Sequence, residues 1–465
     1  MENASVSIIK NRTQLVSHGN VEQRRIVLDV MEYALNAIDS YKVVKRLVSL
    51  NGNILNVGSL TYDLSEIGDI YVVGAGKGSS SIAQALEDIL GHTIAKSLVI
   101  EKRGQGRRLK RTDVIEACHP VPDENAVKGT EKIIEIANAA KMGDIVFACI
   151  TGGCSSLMTM PPDGISLDDV KKVTNLLLMC GAEIQQINAV RKHMSRVMGG
   201  RLAMLIHPAE LINLVVVDEI AGLPWGPTVA DTTTFDDAIS VLKKYNLLEK
   251  IPSSVREHME KKAPKEETPK INDFEREGVK THDFILASSD TVCEASRKKA
   301  EELGYNAMIL STAVEGEARE AGIVLAGVAK EIEKKSRPIR PPCVVIVGGE
   351  ATVTIEGRSG EGGRNQEFAL AASLEIEGSQ RIVIASIGTD GTDGPTDIAG
   401  GIADGYTTER AKEKGIDLFG NLRTHNSSYV FRQLDDAIFT GSTGTNVMDL
   451  RLLVVGAGST REPKD

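Results

Sequence analysis

A recurring block of short apolar run, small-residue turn and helix governs what this chain can fold into. The stretch DIYVVGAGKGSSSIAQALEDIL opens with Ile70–Val73, too short for a helix and too continuously apolar for a strand wetted on one face. It predicts a buried strand, a glycine-rich turn and a helix. KSLVIEK predicts another short strand, KGTEKIIEIANAA a helix and DIVFACI a strand before the loop TGGCSSLM. ISLDDVKKVTNLLLMCGAEI predicts a helix that starts at Ser166, with a capping box to Asp169, and stops near Gly181. LINLVVVDEI is a strand that ends in an acidic loop. The pattern restarts with DFILASS and continues through AMILST, CVVIVGGEATVTI, RIVIASIGTDGTDG and LRLLVVG. Strands alternating with helices imply largely parallel sheets covered by helices on both faces, an α/β class.

The first 60 or so residues read as helical, with Ile26, Val30, Tyr33 and Ala37 on one face. Residues 252–280 are highly charged and lack a long apolar face, so they predict a boundary or exposed excursion between two α/β domains. A length of 465 residues suits two domains.

Charge narrows the function. With 54 basic against 64 acidic residues the chain carries −10, which argues against a nucleic-acid binder driven by phosphate neutralisation. Aromatic residues make up only 4%, which argues against a base-stacking platform. No apolar run approaches the ~18–20 residues of a membrane span, and no secretory signal is visible. Six scattered cysteines without a C-x-x-C pair suit a reducing cytoplasm.

In open parallel sheets, ligands bind beyond the carboxyl ends of the strands, and here those ends carry glycine, serine and threonine loops. VVGAGKGSS is neither a complete G-x-G-x-x-G nor a P-loop. It offers backbone N–H groups around Gly76 and a helix N-terminus beside Lys77, which suits phosphate; a steric turn with a solvated lysine reads equally well. In TGGCSSLM, Gly152, Gly153, Ser155 and Ser156 make an anion cradle rather than a nucleophile elbow, with a plain turn as the alternative. In NAVRKHMS, Asn188 and Arg191 share a helical face, so Arg191 either forks onto an anion or belongs to a solvated basic face. Asp218 ends the VVVDE strand, a place for a general base or a turn residue. In the second half, Glu350 and the aspartates Asp390, Asp393 and Asp397 have the oxygen chemistry of a magnesium site, and Arg364 sits in a glycine loop with Asn365. Turn chemistry alone also accounts for many of these residues.

Taken together, VVGAGKGS, HPVPDEN, TGGCSSL, INAVRKHMSRVMGGRLA, GPTVAD, GGEATVTI, GRSGEGGRNQEFAL, IGTDGTDGPTDIAGG and TGTNVMDL resemble the class II glycerate 2-kinases with a C-terminal MOFRL domain. The resemblance spans about residues 20–456. It implies a Rossmann-like glycerate kinase domain over 1–255, a boundary segment over 256–280 and a MOFRL-type α/β domain over 281–465, with the active site in the interdomain cleft. It implies ATP-dependent phosphorylation of the 2-hydroxyl of D-glycerate with Mg2+ as cofactor, for which Asp390 and Asp393 are the candidate ligands among the acidic loops read above. Lys77, Asp218 and Arg364 would be catalytic; Gly76, Gly152, Gly153, Ser155, Ser156, Asn188, Arg191, Glu350 and Asn365 would bind substrate or phosphate. The partners implied are glycerate and ATP, with no nucleic acid and no membrane, in a cytoplasmic enzyme for which a homodimer stays open. Two departures stand out: Cys154 replaces a usual glycine, and Trp225 stands where serine is common. The alternatives are a hydroxypyruvate reductase, for which the dinucleotide fingerprint is incomplete, and a kinase of another small hydroxy acid.

Overall fold

In the computed structural model the described residues are 7–217, 226–355, 357 and 359–458. They form two compact units. One comprises 40–217 and 226–286; the other joins residues up to 39 with those from 287 onward.

The first unit is built on a six-stranded sheet in the order Asp113–Ala117, Ile94–Lys102, Ile70–Ala75, Ile145–Ile150, Glu210–Val216, Thr281–Ala287. The four pairings among the first five strands are all parallel. Ile70–Ala75 and Ile145–Ile150 are buried along their whole length, as a strand covered on both faces must be. Strand order reverses between these two strands, which makes their carboxyl ends the topological switch point of the sheet. The helix expected from Ser166 spans Leu167–Met179, and its capping box pairs Ser166 with Asp169.

One expectation for this unit fails. Residues 48–63 are a three-stranded antiparallel sheet, not helix. Asn51 pairs with Ile54 and Val57 with Leu60, so Gly52-Asn53 and Gly58-Ser59 are two-residue hairpin loops. Both glycines hold positive φ, the hairpin signal that the apolar spacing had masked.

The second unit has a six-stranded sheet in the order Asn306–Ser311, Cys343–Gly349, Asp449–Val455, Ile382–Gly388, Gly400–Asp404, Ala437–Ile438. It is flanked by helices, but it is not largely parallel. Only Asn306–Ser311 with Cys343–Gly349 runs parallel; the other four pairings are antiparallel. The last strand, Asp449–Val455, inserts between two strands that both run against it. Its continuous apolar run reveals burial on both faces but carries no information about direction.

The division of the chain departs from the one expected at 256–280. The helix Val21–Ala37 packs with the second unit, where Arg24 is fully buried. Arg24 Nε donates to Asp404 at 2.6 Å and Nη1 to Asp436 at 2.7 Å. The charged stretch 256–280 lies inside the first unit. Its helices Ser253–Lys261 and Ile271–Glu277 bury Val255, Met259 and Phe274. Sparse apolar residues at helical spacing suffice to dock a short charged helix. Among the described residues, no helix is long and apolar enough to cross a membrane.

Candidate active site

The parallel register at the switch point brings two of the singled-out loops together. Ala75 lies opposite Ile150, so the chain leaves both strands at the same level. Thr151 N–H donates to Ala75 O at 3.2 Å, and Lys77 N–H donates to Gly152 O at 2.8 Å. Gly76 has φ +131, and a side chain there would collide with Thr151.

The first loop does not present its backbone to an anion. Gly76 N–H goes to Ile100 O at 3.1 Å. Gly78 N–H and Ser80 N–H go to the buried carboxylate of Glu101, at 2.8 and 3.1 Å, and Ser80 Oγ adds a third bond at 2.8 Å. Glu101 therefore occupies the helix N-terminus on which a phosphate was expected, and burial raises its pKa despite those donors. What the loop contributes is the Lys77 side chain. Nothing in the sequence except a carboxylate at the end of an apolar strand signalled Glu101.

The second loop keeps its donors. Among the described residues, the N–H groups of Gly152, Gly153 and Ser155 have no protein partner. Cys154 opens the short helix Cys154–Leu157 and turns into the apolar core. The cysteine that stands in place of the usual glycine thus packs into the core.

Around this loop the charges are lopsided. Arg191, in the helix Ile184–His193, donates from Nη1 to Ser155 Oγ at 3.2 Å and has no carboxylate partner among the described residues. Burial holds its pKa down to about 10. Its helical neighbours differ: Lys192 pairs with Asp231, and His193 with Glu267 at 2.8 Å. His119 lies against Gly153, where an added Cβ would stand 2.7 Å from the ring. Its pKa is pushed down to about 3, by burial first and then by the charges of Lys77, Lys102 and Arg191. Three cations thus converge on one neutral imidazole. Ser155, Ser156, Arg191 and Ser195 line one small cavity, and Asn188 is buried a turn before Arg191. A lone histidine such as His119 reads from sequence as structural, and Lys102 escaped because a lone lysine carries no periodic signal.

The second unit holds the other expected residues. Arg364 starts the helix Arg364–Glu375; its Nε donates to Asp449 at 2.9 Å and its Nη1 to Glu350 at 2.8 Å. These carboxylates raise its pKa against the pull of burial. Asn365 is fully buried, with Nδ2 2.8 Å from Asp449 and its carbonyl accepting from Ser386 at 2.5 Å, so it is a framework residue rather than a substrate contact. Asp449, the hub of this network, was missed because it reads as the first residue of the last strand.

The magnesium pair is not upheld. Asp393 is buried, and its carboxylate accepts from the N–H groups of Asn365 and Gln366 at 3.0 and 2.9 Å and from the Gln366 amide at 3.0 Å. It caps a helix, and its neighbours are donors that suit a carboxylate and not a cation. Asp390 accepts from Thr392 N–H at 3.0 Å in a local turn. Among the described residues no cluster of three His, Cys, Asp or Glu side chains has metal-holding geometry. Asp218 and Trp225 lie outside the described residues.

Two family models match the chain: a domain of unknown function (DUF4147) over residues 26–260, and the MOFRL family over 343–449. A glycerate 2-kinase from Pyrococcus horikoshii is 42% identical over 93% of this chain and 97% of its own. The chain belongs to the class II glycerate 2-kinase family. The solved structure of a glycerate kinase from Thermotoga maritima matches this family member with a TM-score of 0.80 at 34% identity, covering 93% of this chain and 99% of that one. A relative from Agrobacterium vitis, 36% identical over 84% of this chain and 100% of its own, is named putative hydroxypyruvate reductase.

Proposed function

We propose that this family member is a D-glycerate 2-kinase. It transfers the γ-phosphoryl of ATP to the 2-hydroxyl of D-glycerate, giving 2-phosphoglycerate and ADP. The observation that carries the reading is Arg191: a half-buried guanidinium without a carboxylate partner among the described residues, beside Lys77, Lys102 and a neutral His119 at the sheet's switch point. A buried cation without a counter-ion is costly unless the site is meant to receive an anion. Glycerate brings a carboxylate, and ATP brings the phosphoryl group.

Phosphoryl transfer asks the protein for position and charge stabilisation rather than for covalent chemistry. Lys77 and Arg191 neutralise the anionic groups, Ser155 and the N–H groups of Gly152, Gly153 and Ser155 orient them, and His119 stays neutral, so that it adds hydrogen bonding without a fourth charge. Asp218 keeps the base-like role that its position in the family motif implies, and Arg364 that of a second substrate-facing cation. Magnesium, entering with ATP, would supply charge neutralisation on the phosphates; Asp393, whose oxygens are already taken by Asn365 and Gln366, is not among the residues that would hold it.

The reductase alternative meets a specific obstacle. A dinucleotide pyrophosphate sits on the N–H groups of the helix after the first glycine turn, and here Glu101 already takes them. The test is to supply D-glycerate and Mg–ATP and couple product to enolase with no mutase present. A signal establishes 2-phosphoglycerate. Glycerate-dependent ADP release without that signal moves phosphorylation to another oxygen, and hydroxypyruvate-dependent NADH or NADPH oxidation in place of both overturns the kinase.

A further inference from the structure

The second unit contains a cavity of about 370 Å³ beside Arg364. Ala351, Val353, Ile355 and Pro395 give it apolar walls, and backbone from the glycine loop 360–363 completes them. The volume suits a heterocyclic base with part of its sugar rather than a three-carbon acid.

One polar feature stands out in this lining. Glu367 is only 2% exposed. Its Oε2 accepts from His425 Nδ1 at 3.0 Å, while its Oε1 has no hydrogen-bond partner among the described residues. Both residues line the cavity. A buried carboxylate oxygen left without a donor costs stability, which is recovered when a ligand supplies an N–H. Arg364 lines the same cavity but is engaged by Asp449 and Glu350. The missing partner is therefore a donor on an otherwise apolar, flat group.

We infer that this cavity is the nucleobase subsite, with Glu367 Oε1 accepting from the 6-amino group of adenine. The inference rests on the kinase reading for the identity of the nucleotide, but not for its test. His425 holds the Glu367 carboxylate in place and leaves one oxygen for the base, which favours a single exocyclic amine. Glu367 thereby discriminates between bases that share the same phosphates.

The experiment is direct equilibrium binding of ATP, ITP and GTP to the full-length protein, wild type and Glu367→Gln, with thermal unfolding as the check on folding. ITP carries an oxygen where ATP carries the amine. Wild type should bind ATP at least about tenfold more tightly than ITP, the scale of one hydrogen bond to a charged acceptor. In Glu367→Gln the amide turns its oxygen to His425 and an NH2 to the cavity, so the ATP-to-ITP ratio should fall to about one or invert. Equal binding of ATP and ITP to the wild-type protein overturns the inference even if the variant fails to fold. So does tighter binding of GTP than of ATP, or an unchanged ratio in a folded variant. Selective ATP binding without phosphoryl transfer to glycerate would leave the subsite standing and remove the kinase reading.

Discussion

Arg191 and His119 carry their information in what surrounds them. Replacing Arg191 with Met removes a desolvated charge that lacks a counter-ion among the described residues, while keeping most of the volume. Turnover should fall at least about 100-fold in kcat/KM, about 2.7 kcal/mol, while Tm holds or rises; near-normal kinetics with a lowered Tm would make Arg191 structural. Lys77→Ala should lose kcat/KM on the same scale. His119 makes a pH prediction. Its pKa in the folded protein is about 3, against 6.5 in an unfolded chain. Between those values the unfolded state binds the extra proton, so the contribution to stability is full above about pH 6.5 and declines as pH falls toward 3. Urea unfolding at pH 7 and pH 5 should show a smaller acid-side loss for His119→Gln than for wild type. At 77, 152–156 and 191 the residue types stood out in the sequence, but a plain turn or a solvated basic face read as well as an anion cradle, because only a side chain's partners separate the two. Asn365 and Asp393 misled: asparagine and aspartate serve helix caps and buried networks as readily as ligands, and only their partners decide between the two.

Helices and strands were read best where apolar spacing and end signals agreed. Ser166, Asp169 and the apolar spacing after them fixed one helix to within two residues. Ser166→Ala should cost about 1 kcal/mol in urea unfolding through loss of that cap. Glu101 plays the same part from outside its helix, holding the Gly78 and Ser80 N–H groups across from a neighbouring strand. Glu101→Ala exposes those buried donors and should destabilise the protein by at least about 1–3 kcal/mol, seen as an earlier urea midpoint. The failures at this scale were of two kinds. The hairpins of 48–63 turn on two glycines that helical spacing obscured. Strand direction in the second sheet depends on connections between distant segments, which a local pattern does not contain.

At the scale of the molecule, chain order and compact unit do not coincide. Residues 7–39 belong with the segment from 287 onward, tied by the buried bonds of Arg24 to Asp404 and Asp436. Both aspartates are fully buried, and Arg410 adds a second cation to Asp436 at 2.7 Å. Arg24→Ala leaves Asp404 without its principal counter-ion and should cost about 3–5 kcal/mol in urea unfolding; a loss under about 1 kcal/mol would mean that the helix Val21–Ala37 is merely apposed.

That split has a consequence for synthesis. The buried face of Val21–Ala37, with Val27, Leu28, Val30 and Met31, emerges from the ribosome well before the rest of its unit. The elements that cover it begin about 250 residues later, with the helix Ser289–Glu302. At ~5–20 residues per second the helix waits about 12–50 s with its apolar side uncovered. During that interval the intervening segment can complete its own sheet, so the later-made part of the unit closes around a helix made before it. A helix made early is thus among the later parts of the protein to reach its place.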